Sequence, residues 1–474
     1  MPDERADEQE GLFGSVFSRG GADVGDTAWL RAMLAVEAAL ARAAERAGLA
    51  PAGSGTEVTR AAAAGFDTAE LGRLATLTGN PVPGLARTLA RKVTAPVAAR
   101  AVHRGASSQD IIDTAAMLLA RQALDATRAD LERAADGAAH LAKTHQASLM
   151  VGRTMLQQAV PVTFGVVAAG WLAGLDAAVD GLTRTRDTRL AVQFGGAAGT
   201  LASLGADGAR VKALLAAELG LPDPPLPWHT ERLRIIDVAA AMARVTAALG
   251  KIARDVTLLA QPEIAEVREV REGGGGREGG GAPAAPAAPS TPVAAIAIIG
   301  CARQVPGLLA TVVASAEQEH QRAAGAWHAE WQPFADILRL ASSAAAWGAD
   351  LLTGLHVDTA KMAANLAAAG GLPLAERVMG LLATELGGPQ AHDLVAGAAA
   401  RAASSGLPLR DVLLAAPELE DRLRQAGITA AQIEAALDPA GYLGSSSAFI
   451  EAALAAHDRS GPTDRGPTDR GATS

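Results

Sequence analysis

The segment Gly105–Thr114 reads Gly-Ala-Ser-Ser-Gln-Asp-Ile-Ile-Asp-Thr and places hydroxyls, an amide and a carboxylate directly before an apolar helical pattern. A hydroxyl at Ser107 or Ser108 can cap that helix, and Asp110 carries a charge that suits the helix dipole. A helix start of this kind also binds carboxylates or phosphates. By itself the segment fits a well-capped helix. Together with the matching segments below, it predicts the anion-binding end of an active site.

Histidines are the other residues here that can transfer protons at neutral pH. His229 follows a tryptophan, so it fits either an acid–base group or a packed, hydrogen-bonded side chain. His320 and His328 are eight residues apart, roughly 80° around one continuous helix. That spacing differs from the i, i+4 pair of a helical zinc site, and Cys301 is the single cysteine. We therefore predict no metal.

The glycine-rich passage Phe194–Gly199 is a candidate phosphate loop. A phosphate loop needs Lys-Ser or Lys-Thr after the glycines, and this sequence has neither. The passage therefore predicts close backbone packing, and we expect no cofactor.

The composition narrows the class of protein. The 474 residues carry a formal net charge of −9 and only 3% aromatic side chains. With no basic face, nucleic acid is not an expected partner. A single cysteine and an acidic N-terminus fit a reducing cytoplasm and no signal peptide. The most apolar run, Ala159–Leu175, is short and interrupted by three glycines, so it predicts a buried helix and no membrane.

Long amphipathic patterns joined by tight breaks predict an all-α helical bundle. The predicted helices are Asp26–Gly48, Ile111–Leu141, Gly165–Arg186, Arg232–Ala260, Val293–Glu319 and Pro333–Leu352. Pro333 would lie in a first helical turn. Residues 1–10, the Gly/Ala/Pro-rich segment Glu266–Pro292 and the C-terminal tail cannot pack a core, so we expect them to be mobile.

Several segments in a fixed order resemble the aspartase/fumarase superfamily. Residues 103–110, His-Arg-Gly-Ala-Ser-Ser-Gln-Asp, resemble its His-x-Gly-Ala-Thr-Ser-Gln-Asp segment, and Gly152-Arg153-Thr154 with Gln157 and Pro161 resembles its second block. The stretches at residues 227–230, 302–307 and 318–331 resemble the 3-carboxy-cis,cis-muconate cycloisomerase branch. The resemblance covers roughly residues 11–455.

This resemblance implies an all-α, three-domain subunit. We place an N-terminal helical domain at residues 1–112, a central helical bundle at 113–360 that carries the loop 266–292, and a small helical domain at 361–457. A disordered tail would follow at 458–474. The resemblance also implies a homotetramer in which three chains build each active site.

The resemblance also implies the chemistry. The superfamily eliminates or adds across the α,β bond of a succinate- or fumarate-like skeleton, and hydroxyls, amides and cations hold the charged intermediate. The cycloisomerase branch adds a muconate carboxylate to a double bond and closes a lactone. Carried over by position, the carboxylate-binding residues are Ser107, Ser108, Gln109, Thr154 and Gln157, and the catalytic candidates are His103, Ser108 and His229.

One single position and one loop depart from the superfamily pattern. Met155 stands where many lyases of the superfamily have an acid–base histidine, and the cycloisomerase branch also commonly lacks that histidine. The signature loop Gly-Ser-Ser-x-Met-Pro-x-Lys-x-Asn-Pro has lost its polar residues. When its last proline is aligned with Pro292, the two serines, the lysine and the asparagine become Pro283, Ala284, Pro289 and Thr291. Ser290 and Thr291 are then the only hydroxyls left nearby.

The remaining charged residues are interpreted as binding or structural groups. Arg153 fits a substrate carboxylate or a structural ion pair equally well. Glu319, Arg322 and Glu330 are predicted to form an ion-pair network at a subunit interface.

Three functions fit the sequence. The first is lactonisation of 3-carboxy-cis,cis-muconate in the degradation of aromatic compounds by the β-ketoadipate pathway. The second is elimination of another group from a succinate derivative such as nitrosuccinate, which the missing loop serine and lysine favour because a more acidic proton needs a weaker base. The third is a non-catalytic paralogue that assembles with partner chains, because fold alone does not assure function.

Overall fold

The computed structural model describes residues 14–270, 291–415, 424 and 427–460. The expectations for residues 1–10, for most of Glu266–Pro292 and for nearly all of the tail lie outside these residues. Within them most residues are helical and the strands are few and short, which confirms the all-α prediction. The three-domain division stays a prediction.

The helices fall into two groups by length. The five longest are α5 (Ser108–Thr144), α6 (Phe164–Arg189), α8 (Leu233–Leu259), α9 (Val293–Ala314) and α10 (Ala326–Thr353). The shorter ones are α1 (Asp26–Arg46), α2 (Ser54–Ala62), α3 (Thr68–Thr78), α4 (Val82–Lys92), α7 (Gly208–Leu219), α11 (Thr359–Ala368), α12 (Ala375–Leu386), α13 (Gly388–Ser405), α14 (Leu409–Leu414), α15 (Ala430–Ala436) and α16 (Ser446–Ser460). Short 3₁₀ turns lie at Ser15–Phe17, Ala98–Ala101, Ala202–Asp207, Leu372–Leu374 and Pro439–Gly441.

The contacts divide the chain into two compact units. The first contains residues 14–132, 177–251 and 296–349, and the second contains residues 133–176, 252–295 and 350–460, as far as they are described. The boundaries fall inside the five longest helices.

The first unit is built on α1. This helix begins after Gly25, which has extended backbone, and it ends at Arg46, two residues before Gly48 with φ +80°. Its apolar positions recur at helical spacing and are buried against α2 and α7. One buried position on that face is a carboxylate, Glu37, which is 0% exposed.

A charged cluster lies in the core of the same unit. Arg232 is completely buried and donates to both oxygens of Asp113, at 2.7 and 3.0 Å, and to both oxygens of Glu330. The indole N–H of Trp327 adds a 3.0 Å hydrogen bond to Asp113. One guanidinium therefore joins the start of α5 to the start of α10 across 217 positions of sequence (330 − 113).

The second unit contains a hairpin where the sequence predicted only an interruption between helices. Strand β1 (Leu149–Thr154) pairs antiparallel with β2 (Gln157–Thr163). The reading of Ala159–Leu175 as one helix is therefore wrong, since β2 runs to Thr163 and α6 begins only at Phe164. Val and Thr in this stretch favour a strand, and Pro161 disfavours the interior of a helix.

The rest of the second unit fixes the segments around the loop. Strand β3 (Val267–Glu269) pairs with β4 (Leu355–Val357). The buried carboxylate of Glu269 accepts hydrogen bonds from the N–H groups of Ala294 at 3.1 Å and Ala295 at 2.9 Å, which caps α9. The helices α12–α15 pack around a separate apolar cluster that includes Leu382, Val395, Leu409 and Ile433.

Two predicted helix limits are wrong. Helix α9 ends at Ala314, five residues before Glu319. Helix α10 begins at Ala326, so Pro333 lies inside the helix and not in its first turn. A proline removes only one backbone donor, and the long aromatic-rich helix retains the rest of its ladder and its packing.

Two helices have unusual apolar surfaces. By length and composition alone, α6 and α9 could each cross a membrane. Half of the most apolar window of α6 and a third of that of α9 are buried within the chain. On α9, Ile296 and Val313 are each 50% exposed. Exposed apolar side chains on a long helix are compatible with an interaction surface.

The charged cluster predicts how stability depends on pH. Burial, together with the charge of Asp113, raises the pKa of Glu330 from 4.5 to about 7, although Arg232 opposes the shift. The folded state therefore holds this proton to a higher pH than the unfolded state does. Its contribution to stability is complete below about pH 4.5 and is lost as the pH rises through about 7.

We expect the free energy of unfolding to fall between about pH 5 and pH 8 in the wild-type protein, and to fall less steeply in Glu330→Gln. Denaturant titrations at several pH values measure both slopes. Glu57→Gln is the control. Hydrogen bonds from Arg60 and Thr94 lower the pKa of that exposed carboxyl, so this substitution should change the pH dependence of stability only at acid pH. Equal slopes for wild type and Glu330→Gln would contradict the assignment.

Candidate functional site

The carboxylate of Asp110, in the first turn of α5, is the meeting point of the candidate site. It is 1% exposed and accepts five hydrogen bonds. The donors are the N–H (2.7 Å) and Oγ (3.0 Å) of Ser107, the N–H groups of Gly195 and Gly196 (2.9 Å each) and Nε2 of His229 (2.7 Å). One side chain thereby fixes the helix start, the glycine-rich passage and the Trp-His-Thr segment.

Local sequence explains this geometry. Ser107 precedes α5 and its Oγ lies 3.4 Å from the N–H of Asp110, so serine and aspartate satisfy each other's backbone donors in the manner of a capping box. Gly105 has φ +74°, and a Cβ there would lie 2.6 Å from Leu204. A Cβ on Gly195 would lie 2.6 Å from the ring of His229. The glycines therefore permit the close packing that the sequence predicted, and they also supply two N–H donors.

His229 is buried and held at several points. Its Nε2 lies 2.7 Å from Asp110, and its carbonyl oxygen accepts a 2.8 Å hydrogen bond from the amide of Gln109. Its Nδ1 makes no hydrogen bond to any residue in the described ranges. If Nε2 carries the proton toward the carboxylate, Nδ1 is the nitrogen that can accept a proton.

His103 forms a second carboxylate–histidine pair. Glu37 accepts the backbone N–H of His103 at 2.8 Å and pairs with its Nδ1 at 2.7 Å. Burial opposes the charged ring, but the hydrogen bond and charge of Glu37, with the charge of Asp110, outweigh it and raise the pKa of His103. The backbone at His103 is left-handed, with φ +55°.

Arg322 lies beside the start of α5. Its Nη2 donates to Ser107 Oγ at 3.0 Å and to the carbonyl oxygen of Gly196. Within the described part of the chain no carboxylate oxygen lies within 4.0 Å of this guanidinium. Burial lowers the pKa of Arg322, although Asp110 and Asp113 oppose that change. The proposed ion-pair network is therefore wrong, because Glu330 pairs with Arg232 and Glu319 accepts the N–H of Ala324.

Ser108 completes the polar residues predicted at this helix start. It is the first residue of α5 and is half-buried, and its hydroxyl makes no hydrogen bond to a residue that the structure describes. Ser107, Ser108, Gln109, His103 and His229 thus all lie in the first unit, around or next to Asp110.

The remaining predicted residues lie in the second unit. Thr154 and Gln157 face each other at the exposed end of the hairpin. Arg153 donates two hydrogen bonds, 2.9 and 2.8 Å, to the buried Glu266, which supports its structural interpretation. Thr291 is exposed just before α9, and Ser290 lies outside the described residues.

The histidines considered as metal ligands have other roles. The carbonyl of His320 accepts a hydrogen bond from Thr230, and the ring of His328 packs against Trp327 and Trp331. No group of three or more His, Cys, Asp or Glu side chains in the described ranges has the arrangement of a metal site.

Three residues of the site were not anticipated in these roles. Asp110 was interpreted only as a dipole-compensating charge, and Arg322 as part of an interface network. Glu37 was not singled out, although a glutamate among buried apolar residues of α1 is a usable signal, since buried charges are almost always paired.

Comparison with known sequences places the chain in a family. The sequence model described as "Lyase" matches residues 22–276, and that of the adenylosuccinate lyase C-terminus matches residues 371–453. The 3-carboxy-cis,cis-muconate cycloisomerase of Bradyrhizobium diazoefficiens is 44% identical over 92% of this chain and 95% of its own. The nitrosuccinate lyase of Streptomyces davaonensis is 43% identical over 93% of both chains.

Solved structures agree with this placement. The 3-carboxy-cis,cis-muconate lactonizing enzyme from Pseudomonas putida superposes with a TM-score of 0.85 at 38% identity, over 95% of this chain and 99% of its own. The family resemblance stated from the sequence is therefore confirmed. The chain belongs to the aspartase/fumarase superfamily of lyases, in the branch that contains the 3-carboxy-cis,cis-muconate cycloisomerases.

Proposed function

We propose that the protein is a cycloisomerase that closes the lactone of 3-carboxy-cis,cis-muconate. The observation that carries this proposal is Arg322, a half-buried guanidinium that contacts Ser107 and lies at the hydroxyl-rich start of α5 without a carboxylate partner in the described residues. A cation placed in this way favours an anionic ligand, because a guanidinium binds carboxylates through paired hydrogen bonds.

The substrate carboxylates have a complementary set of donors. The hydroxyl of Ser107 gives its proton to Asp110 and accepts from Arg322, so it positions the guanidinium. The hydroxyl of Ser108 has no hydrogen-bond partner among the described residues. The N–H groups of a first helical turn lack helical carbonyl partners, although Ser107 already uses that of Asp110. We assign these groups and Arg322 to the carboxylate that takes up charge during the reaction.

The proposed reaction is an internal addition. One carboxylate oxygen of the diene tricarboxylate forms a bond to a carbon of a C=C, and the π electrons move toward the neighbouring carboxylate. That doubly charged group is then protonated at the adjacent carbon. The trianion and one proton give a lactone dianion, so a general acid is needed in this direction. His103 and His229 are the candidates for the proton transfer.

The second block is proposed to act in another subunit of a cytoplasmic homotetramer. Met155 and Leu156 at the hairpin tip are 95% and 69% exposed, and both have left-handed backbone, with φ +49° and +64°. Apolar residues in a strained, exposed turn are costly in an isolated chain. Contact with a neighbouring subunit, which would receive Thr154 and Gln157, and burial of the open face of α9 explain both features.

Two other functions stay open for the same site. The nitrosuccinate lyase of S. davaonensis is as similar as the cycloisomerases, and the loss of the loop serine and lysine favours a substrate with a more acidic proton. The loss of the loop serine and lysine also fits a non-catalytic paralogue that assembles into a mixed tetramer with active subunits.

We expect the purified protein to consume 3-carboxy-cis,cis-muconate, seen as loss of the diene absorbance in the ultraviolet. Release of fumarate from nitrosuccinate, with no loss of the diene, would move the assignment to the second function. If a folded protein catalyses neither reaction and forms mixed tetramers with an active paralogue, the non-catalytic function is the one that remains.

Replacing Arg322 should impair whichever reaction is found. We expect Arg322→Gln to lower kcat/KM at least about 100-fold, since it removes a charge from the developing carboxylate. Arg31→Gln is the control, because Arg31 forms an exposed ion pair with Asp23 in the same unit. The measurement is steady-state kinetics of both variants. Equal kcat/KM values for Arg322→Gln and Arg31→Gln would exclude Arg322 from the site.

A further inference from the structure

Glu37 is a buried carboxylate that the family motifs do not include. It lies on α1 with 0% exposure, and the residues one turn before and after it, Met33 and Ala41, are buried and apolar. Both of its oxygens are used by one residue: Oε2 accepts the backbone N–H of His103 at 2.8 Å and Oε1 pairs with Nδ1 at 2.7 Å. A buried carboxylate is costly unless a charged partner offsets it. The imidazolium form of His103 supplies that partner.

The geometry also fixes which atom of the ring can act. With Nδ1 turned to Glu37, Nε2 is the second nitrogen, and it has no hydrogen-bond partner in the part of the chain that the structure describes. The side chain of His103 is 26% exposed, so this nitrogen is not sealed in the core. The left-handed backbone of His103 is an uncommon conformation for a residue other than glycine. The double contact with Glu37 holds the residue in it.

The charged groups that act on the ring come from two helices. Glu37 approaches from α1, and Asp110 acts from the first turn of α5. Both are carboxylates and both favour the protonated ring. His229 differs, since it shares Asp110 with three N–H donors and a hydroxyl. The two histidines therefore have unequal environments, which is how one site separates a proton donor from a proton acceptor.

We propose that Glu37 is a positioning residue that keeps His103 charged and oriented, so that Nε2–H of His103 delivers the proton in lactone closure. The proposal rests on the proposed cycloisomerase function. In the step itself, the N–H bond of the imidazolium breaks and a C–H bond forms at the carbon next to the charged carboxylate. The neutral ring then takes a proton from water.

A purely structural role for Glu37 gives different expectations. In that case the carboxylate would serve only to anchor the turn before α5. Glu37→Gln separates the two roles, because the amide oxygen can still accept the backbone N–H of His103 while the negative charge is removed. Glu45→Gln is the matched control: Glu45 lies on the same helix and binds two backbone N–H groups, those of Gly53 and Gly55, at 2.7 Å each, with no histidine.

The test is an NMR titration of protein with ¹³C-labelled histidine, in which His103→Gln identifies the His103 signal. We expect His103 to titrate above the ordinary midpoint of about 6.5 in the wild type and in Glu45→Gln. In Glu37→Gln the midpoint should fall by at least about one unit. An unchanged midpoint in folded Glu37→Gln would overturn the proposal. If that variant does not fold, a wild-type midpoint at or below about 6.5 would overturn it.

Kinetics complete the test and separate it from the proposed function. In an active protein, the basic limb of the kcat profile should move to lower pH in Glu37→Gln by the same shift as the titration, with KM unchanged. A shifted titration in a protein that consumes no carboxymuconate would refute the cycloisomerase function and the proton-delivery role together, and would leave only the ion pair. A shifted titration with an unmoved kcat profile would remove His103 as the acid while the cycloisomerase function stands.

Discussion

The candidate site depends on one buried carboxylate that accepts five hydrogen bonds. The carboxylate of Asp110 bonds to the helix start, to the glycine-rich passage and to the Trp-His-Thr segment. Each of these segments is a loop end, and a loop holds a precise geometry only when its polar groups are satisfied. By using Ser107 as cap, Asp110 also sets the oxygen to which Arg322 donates.

The arginines in and near the site differ in whether a carboxylate pairs with them. Two carboxylates, Asp113 and Glu330, hold Arg232 in the core, whereas Arg322 contacts only hydroxyl and carbonyl oxygens among its described neighbours. The first guanidinium is neutralised and structural, and we propose that the second keeps its charge for a ligand. Arg153 is also a structural arginine by this criterion, because it donates to both carboxylate oxygens of Glu266. Counting arginines in a motif cannot make this distinction, because it depends on which carboxylate reaches each one.

Much of the fold follows from local patterns. Helical spacing predicts α1, α5 and α8 to within a few residues, because each has a long apolar stripe. The hairpin does not follow from the local pattern, because glycine and proline also mark a simple break between helices. Pro333 was misplaced because propensity at one residue is weaker than the packing of the whole helix.

The site was predictable where its residues are adjacent in sequence and not where distant segments meet. Ser107, Ser108 and Gln109 follow from the helix start, and His229 from its motif. The partners of these residues come from elsewhere: Glu37 is 66 positions before His103 and Arg322 is 215 positions after Ser107. Only tertiary structure brings such pairs together, since nothing in the local sequence of α1 states that its glutamate meets a histidine.

The most direct test of the role of Asp110 is the affinity for the lactone product, measured by calorimetry in Asp110→Asn and in Asp67→Asn. Asp67 caps α3 in the same unit and controls for loss of a capping carboxylate. If Asp110 organises the site, its replacement weakens binding at least about tenfold, which corresponds to 1.4 kcal/mol, although a negative charge has been removed. Tighter or equal binding in folded Asp110→Asn would contradict this account, because it would show that the charge merely opposes the anionic ligand.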